Sequence, residues 1–313
     1  MKRLVFMGTP DFALTILAAV AAPNPEWDVV GVLTRANKPV GRGQQVAISP
    51  VKTFALAHGL PVQQPATLRQ PEALTALASL RPDVIVVAAY GLILPQPVLD
   101  LPLYGCLNVH ASLLPRHRGA APVAGALLAG DAVTGSTIML MDAGMDTGPL
   151  LAQAGLPIAP GETRGALMAR LAQQGADLLL NTLPAWLAGA ITPQPQDHSQ
   201  ATMTRPLAKA QGRIDWRLPA VQIARQLQAF QPWPGSFTSW RGRVLKIHQG
   251  QAVPASDAAA PGLVLADAHG LSVACGQGRL RLLELQLEGK RSLDAQTFGR
   301  GQRDFVGSVL GDA

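Results

Sequence analysis

The sequence predicts an α/β fold: a Rossmann-like, mostly parallel sheet, followed by a smaller C-terminal β-barrel of the OB-like kind. Three features of the 313 residues carry this reading. Short apolar runs alternate with helical patterns through the first 190 residues. A polar stretch with two prolines, Ile191–Gln200, interrupts the alternation. Short β-rich runs separated by glycine and proline then fill the remainder.

Taken in order, Lys2–Met7 and Val29–Thr34 are apolar runs of strand length and read as buried strands. Phe12–Ala22 between them has helical spacing, opened by Pro10 and Asp11. Val51–His58, closed by Gly59, and Pro71–Leu80 are further helices. Val84–Ala89 is the most strand-like run in the chain, and Leu107–His110, Thr137–Met141 and Leu150–Leu156 follow it. Thr163–Leu187 reads as one long helix or two, with Pro184 disturbing its end. Beyond the polar stretch, Ile214–Ala229 holds one helix. The β-rich runs are Ser236–Trp240, Arg243–Gln249, Gly262–Leu265, Leu271–Ala274 and Arg279–Leu287. The expected division is a catalytic domain over 1–190, a linker over 191–205 and a β-barrel domain over 206–313.

Composition excludes several classes. With 48% hydrophobic and 15% charged residues and mean hydropathy +0.19, the chain is not disordered as a whole. Its apolar runs fall short of the ~20 residues of a membrane span, and the N-terminal run is short for a leader. Cys106 and Cys275 stand apart from each other and from metal-type spacing, so neither a disulfide nor a zinc site is expected, and a cytoplasmic setting fits. Gly8-Thr9-Pro10 offers one glycine where a dinucleotide fingerprint needs three, and Pro10 removes a backbone donor. NAD is therefore not expected.

Charge is uneven. Residues 1–190 carry 12 basic and 11 acidic side chains, and residues 191–313 carry 14 and 9. Within Arg205–Gly250, eight basic residues face Asp215 alone. Such a segment is either a face for a polyanion or a solvated basic surface.

Two short segments carry the chemistry. In Leu107–His110, alternation puts Asn108 and His110 on one face at the carboxyl end of a strand, where open α/β sheets hold their ligands. Met141–Gly148 is a tight loop carrying Asp142 and Asp146. Two carboxylates suggest a metal, but a hard cation takes more oxygen ligands than this loop supplies. A carboxylate that orients a histidine is the better reading.

These motifs resemble a known family. Phe6–Pro10, Asn108-Val109-His110, Ser112-Leu113-Leu114-Pro115, Arg118–Pro122, Asp146-Thr147-Gly148 and Gly161-Glu162-Thr163 agree in order and spacing with the methionyl-tRNA formyltransferases, a family of formyltetrahydrofolate-dependent transferases. Ile214-Asp215-Trp216, Pro232-Trp233-Pro234 and Leu285-Gln286 with Gly289-Lys290 extend the likeness over nearly the whole chain. The resemblance implies formyl transfer from 10-formyltetrahydrofolate, without a metal, to the amino group of initiator methionyl-tRNA, in support of translation initiation. It implies no membrane and no obligate protein partner.

By resemblance, Asn108, His110 and Asp146 are catalytic, and Ser112, Leu113, Leu114 and Pro115 contact the folate. Backbone near Ala89–Leu92 and Met139–Asp142 lines the pterin pocket. Arg42, on the long basic loop Thr34–Ser49, and Lys209 contact the tRNA. Ala111, His117, Ala210 and Gln211 depart from the family's usual residues without removing a catalytic group. The competing readings are a formyltransferase for a small amine, which leaves the basic 205–250 segment unexplained, and a catalytically idle binding protein, which leaves the Asn–His–Asp set unexplained. The tryptophans are expected as core anchors; for Trp233, between Pro232 and Pro234, packing is preferred over the alternative of a stacking platform for RNA.

Overall fold

The computed structural model describes residues 1–40, 45–255 and 259–311. The chain forms two compact units. The first comprises Met1–Pro122, Val133–Pro157 and Met168–Thr204; the second comprises Val123–Ala132, Ile158–Leu167 and Arg205–Ala313.

A seven-stranded sheet organises the first unit. Its spatial order is Leu150–Pro157, Val133–Leu140, Cys106–His110, Val84–Ala88, Lys2–Gly8, Trp27–Leu33 and Val62–Gln63. The last five run parallel, and Val133–Leu140 is antiparallel to both of its neighbours. Val84–Ala88 lies between two parallel neighbours and every residue is buried, which is why it reads as a continuous apolar run. Val133–Leu140 begins four residues before the expected Thr137. Thr134 and Ser136 are buried polar residues that conceal the strand from an apolar-run reading.

Helices cover the sheet. Asp11–Val20 buries Phe12, Ala13, Ile16, Leu17 and Val20, a stripe at helical spacing. Full burial of Ile16 or Leu17 is worth roughly 1.5–3 kcal/mol each. Pro50–Ala57 opens on Ser49, whose hydroxyl accepts from Lys52 N at 3.2 Å. Arg164–Leu187 is one helix of 24 residues that continues through Pro184. Trp186 anchors its end, donating to Tyr104 O at 2.9 Å.

The 191–205 segment, a linker by composition, is bound to the first unit. Leu150 and Gln194 exchange backbone hydrogen bonds of 2.8 Å, and Met203–Thr204 pairs in parallel with Arg118–Gly119. Contiguous contacts therefore run to Thr204.

The second unit contains a six-stranded antiparallel sheet. Its main order is Ser236–Trp240, Arg243–Val253, Arg279–Leu287, Gly270–Ala274 and Val264–Asp267, with Leu293–Asp294 also paired to Arg279–Leu287. Helix Ala220–Phe230 packs Ile223 and Leu227 into the same core as Leu245, Ile247, Val273 and Leu280. Trp240, Phe298 and Phe305 meet edge to face, with centroids 4.9–6.1 Å apart. Trp27, Trp216 and Trp240 are core anchors, as expected, but Trp233 is 50% exposed. Flanking prolines at 232 and 234 hold it on a turn rather than on a strand or helix face.

Candidate active site

The strand Cys106–His110 places Asn108 opposite Val87 on its parallel side and opposite Met139 on its antiparallel side. Asn108 and His110 share one face of that strand and are 9% and 6% exposed. The following strand, Val133–Leu140, leads into the loop Met141–Gly148. Asp142 Oδ1 accepts from Gly144 N at 3.0 Å and from Thr147 Oγ1 at 2.7 Å, folding that loop tightly. Asp146 then adopts φ +55°, in the left-handed region, and turns its carboxylate back over the strand.

Three side chains from two segments converge there. Asp146 Oδ1 accepts from Asn108 Nδ2 at 3.4 Å. Asp146 Oδ2 lies 3.7 Å from His110 Nδ1 and accepts from Gly119 N at 2.7 Å. The Asn108 amide carries a second N–H with no protein partner among the described residues. This N–H is available to an oxygen atom of a ligand.

His110 is held by its other nitrogen. Nε2 lies 3.0 Å from His117 O. A carbonyl can only accept, so Nε2 carries the hydrogen. Nδ1, facing Asp146, is therefore the atom that can exchange a proton. His117 has φ +57°, and its N–H donates to Thr202 Oγ1 at 2.8 Å.

Gly119 has φ +100°, and a Cβ there would lie 2.3 Å from Thr204 O. Only glycine brings this N–H onto Asp146 without displacing the neighbouring chain.

The segment Ser112–Pro115 is rigidly bound. Ser112 is fully buried; its hydroxyl donates to Arg116 O at 2.6 Å, and its carbonyl accepts from Thr137 Oγ1 at 2.6 Å. Gln153 Nε2 donates to Leu114 O at 2.8 Å. Ser112 and Leu114 face inward, so ligand-accessible surface in this segment belongs to Leu113 and Pro115. Arg42 lies outside the described residues. Lys209 is exposed and opens a short 3-10 turn in the second unit.

An open cavity of about 500 Å³ lies at the carboxyl ends of three of the parallel strands. Thr9, Arg35, Asn37, Ser49, Ala89 and Tyr90 contribute to its wall. Thr9 Oγ1 donates to Tyr90 O at 3.1 Å, and Arg35 donates to Gly91 O at 2.6 Å, tying these strand ends together. Of the backbone expected to line the pterin pocket, Ala89–Leu92 and Met139–Asp142, the residues Ala89, Tyr90 and Gly91 belong to this wall, whereas Leu92 and Met139–Asp142 do not.

Two other titratable groups near the site are inert. Burial pushes the Cys106 thiol and the Tyr90 hydroxyl up to about 12 each. Neither is a nucleophile near neutral pH.

Several participants carried no signal in the sequence. The His117 carbonyl and the Gly119 N–H are backbone groups, and every residue has them. Thr137, Gln153 and Gln196 are ordinary polar residues until the fold buries them.

Residues 1–183 match the formyl transferase family, and residues 206–303 match its C-terminal domain. The chain is 50% identical to the methionyl-tRNA formyltransferase of Roseiflexus sp. (strain RS-1), an alignment covering 99% of this chain and 96% of the relative. It is 49% identical to the methionyl-tRNA formyltransferase of Myxococcus xanthus (strain DK1622), covering 98% and 97%. Among solved structures, WlaRD, a sugar 3N-formyl transferase, matches with TM-score 0.66 at 16% identity over 93% of this chain and 99% of that one. HypX from Aquifex aeolicus, in complex with tetrahydrofolic acid, matches with TM-score 0.60 at 15% identity; the likeness covers 99% of this chain and 48% of HypX. At such identities the two structures speak to the fold alone.

Proposed function

Starting from a chain that belongs to the formyl transferase family, we propose that it transfers the formyl group of 10-formyltetrahydrofolate to the amino group of initiator methionyl-tRNA. The observation that carries this reading is the meeting of an unspent amide N–H, an exchangeable imidazole nitrogen and a carboxylate at Asn108, His110 and Asp146. That donor set fits a formyl donor, whose oxygen needs a neutral hydrogen-bond donor and whose leaving nitrogen needs a proton.

The acceptor needs little activation. An α-amino group has a pKa of about 7.7–8.0, and esterification of the neighbouring carboxyl lowers it, so the free amine is available at neutral pH. 10-Formyltetrahydrofolate, when bound, supplies an activated formyl carbon. Asn108 donates its second N–H to the formyl oxygen as negative charge builds there. One such donor is worth about 3 kcal/mol of barrier. His110 moves the proton at Nδ1, with Nε2 held on the His117 carbonyl. Asp146 keeps Nδ1 oriented and stabilises the imidazolium, while the Gly119 N–H keeps Asp146 in place.

The same reading assigns Leu113 and Pro115 to folate contact and Ser112 and Leu114 to shaping their loop. Residues from 206 onward hold the tRNA, supported by the eight basic residues of Arg205–Gly250 against one acidic one. Lys209 and Arg42 are contacts on this reading. The reaction takes place in the cytoplasm, where aminoacylated tRNA is made. No helix among the described residues is long and apolar enough to cross a membrane.

The deciding assay combines the protein, 10-formyltetrahydrofolate and methionylated initiator tRNA and scores formyl-methionine. A nucleotide-linked amino sugar serves as the alternative acceptor. Formylation of the sugar with none of the tRNA would overturn the assignment.

A further inference from the structure

Gln196 lies in the polar segment that composition marks as a linker, yet it is 6% exposed. Its amide is saturated. Oε1 accepts from Arg118 Nε at 3.1 Å and from Arg118 Nη2 at 2.6 Å. Nε2 donates to Asp146 O at 2.9 Å and to Gly148 O at 2.6 Å. Both donors and both acceptor directions of one buried side chain are thereby used. Arg118, also buried, donates further to His198 Nδ1 at 3.1 Å.

The surrounding strap follows the same path. Arg118 N donates to Thr202 O at 2.9 Å, Thr202 N donates to Pro115 O at 3.3 Å, and Thr202 Oγ1 receives His117 N. Thr204 Oγ1 donates to Arg118 O at 2.8 Å and accepts from Ala121 N at 3.1 Å. These residues grip the turn whose His117 carbonyl holds His110 and whose Gly119 N–H holds Asp146.

From this we infer that Gln196 is a positioning residue for the formyl-transfer site: it clamps the left-handed Asp146 turn to Arg118 and so sets the carboxylate against His110 and Asn108. A left-handed φ at a non-glycine residue persists only where its surroundings over-determine it. Among the described residues, the Gln196 amide is the group that meets the Asp146 carbonyl from outside its own loop. No other residue type of that length offers two N–H donors on one side and an acceptor on the other. The inference rests on the formyl-transfer reading for its kinetic consequence, but not for its structural one.

The test uses the full chain with Gln196→Glu, which keeps the side-chain length and the acceptor for Arg118 but sets a carboxylate oxygen against two carbonyl oxygens. Misplacement of a catalytic group by an ångström is worth up to about 100-fold in rate, so kcat should fall about 10- to 100-fold while KM for 10-formyltetrahydrofolate stays within about threefold. In an Asp146→Asn background, measured by single turnover, the same change should lower the rate by less than about threefold, because a residue that acts through Asp146 has nothing left to act on. The Gly119 amide, which donates to Asp146, should exchange its hydrogen faster in Gln196→Glu than in the parent chain. Equal losses in the two backgrounds, a loss confined to KM, or a folded variant with parental kcat and parental exchange at Gly119 would each overturn the inference. Should Gln196→Glu fail to fold, Gln196→Asn, one methylene too short to span Arg118 and Asp146, is read by the same criteria. A parent chain that formylates no methionyl-tRNA would instead sink the functional reading, and the exchange at Gly119 would still decide the clamp.

Discussion

Removing the Asn108 amide separates catalysis from stability. Among the described residues the Asn108 side chain makes one hydrogen bond, 3.4 Å to Asp146 Oδ1, at the long end of the range. Asn108→Ala therefore forfeits little folding free energy, on the order of 1 kcal/mol. On the proposed mechanism it also removes the donor to the formyl oxygen, worth about 3 kcal/mol of barrier, so single-turnover formylation should slow about 100- to 200-fold. Asn108→Asp should be worse. It deletes the same donor and sets a second carboxylate near Asp146; at 3.4 Å two full charges repel by about 5 kcal/mol with an effective dielectric of 20. The assay is quenched single turnover with saturating 10-formyltetrahydrofolate and methionyl-tRNA, paired with denaturant unfolding. A loss below about fivefold in a variant of parental stability would refute the role assigned to the amide.

His110→Ala and Asp146→Asn should each cut kcat severely and combine with far less than additive effect, because groups that act as a unit fail together; additive losses in a double-mutant cycle would count against the unit. Gly119→Ala should destabilise the fold by about 1–3 kcal/mol, since φ +100° leaves its Cβ 2.3 Å from Thr204 O, and an unchanged unfolding midpoint would contradict that geometry. The Cys106 and Cys275 thiols, pushed up to about 12 and about 11 by burial, remain protonated at pH 8 and should resist a thiol-specific reagent until denaturant is added; rapid labelling of the native chain would be inconsistent with their burial. For about five phosphate contacts, log tRNA affinity should fall against log salt with a slope near −3.5 to −4.5, and a flat dependence in a filter-binding series would reduce the basic 205–250 segment to a solvated face.

Part of the site was legible because chemistry and local geometry coincide. Asn108 and His110 share a face by the period of a strand alone, and Val84–Ala88 announces a doubly covered strand because both its faces are buried. Asp146 was legible as a carboxylate on a glycine-rich loop. The inward turn of Ser112 and Leu114 was not, because their loop conformation depends on Thr137 and Gln153, which are 23 and 39 residues from Leu114. Trp233 was misjudged for a related reason: size favours burial, but neighbouring prolines decide which way a turn faces.

The sequence by itself determined the α/β class, the order of the main elements and the division of charge, which depend on periodicity and composition within short stretches of chain, and its motif spacing singled out Asn108, His110 and Asp146 as the residues the proposed function uses. Tertiary structure decided which nitrogen of His110 is free, what meets the left-handed Asp146 turn, and that residues 194–204 belong to the first unit. Those outcomes rest on backbone carbonyls and amides and on one buried glutamine, brought together across 27 to 86 residues. Backbone groups are the same in every residue, and a glutamine in a polar stretch looks solvated until the chain closes around it.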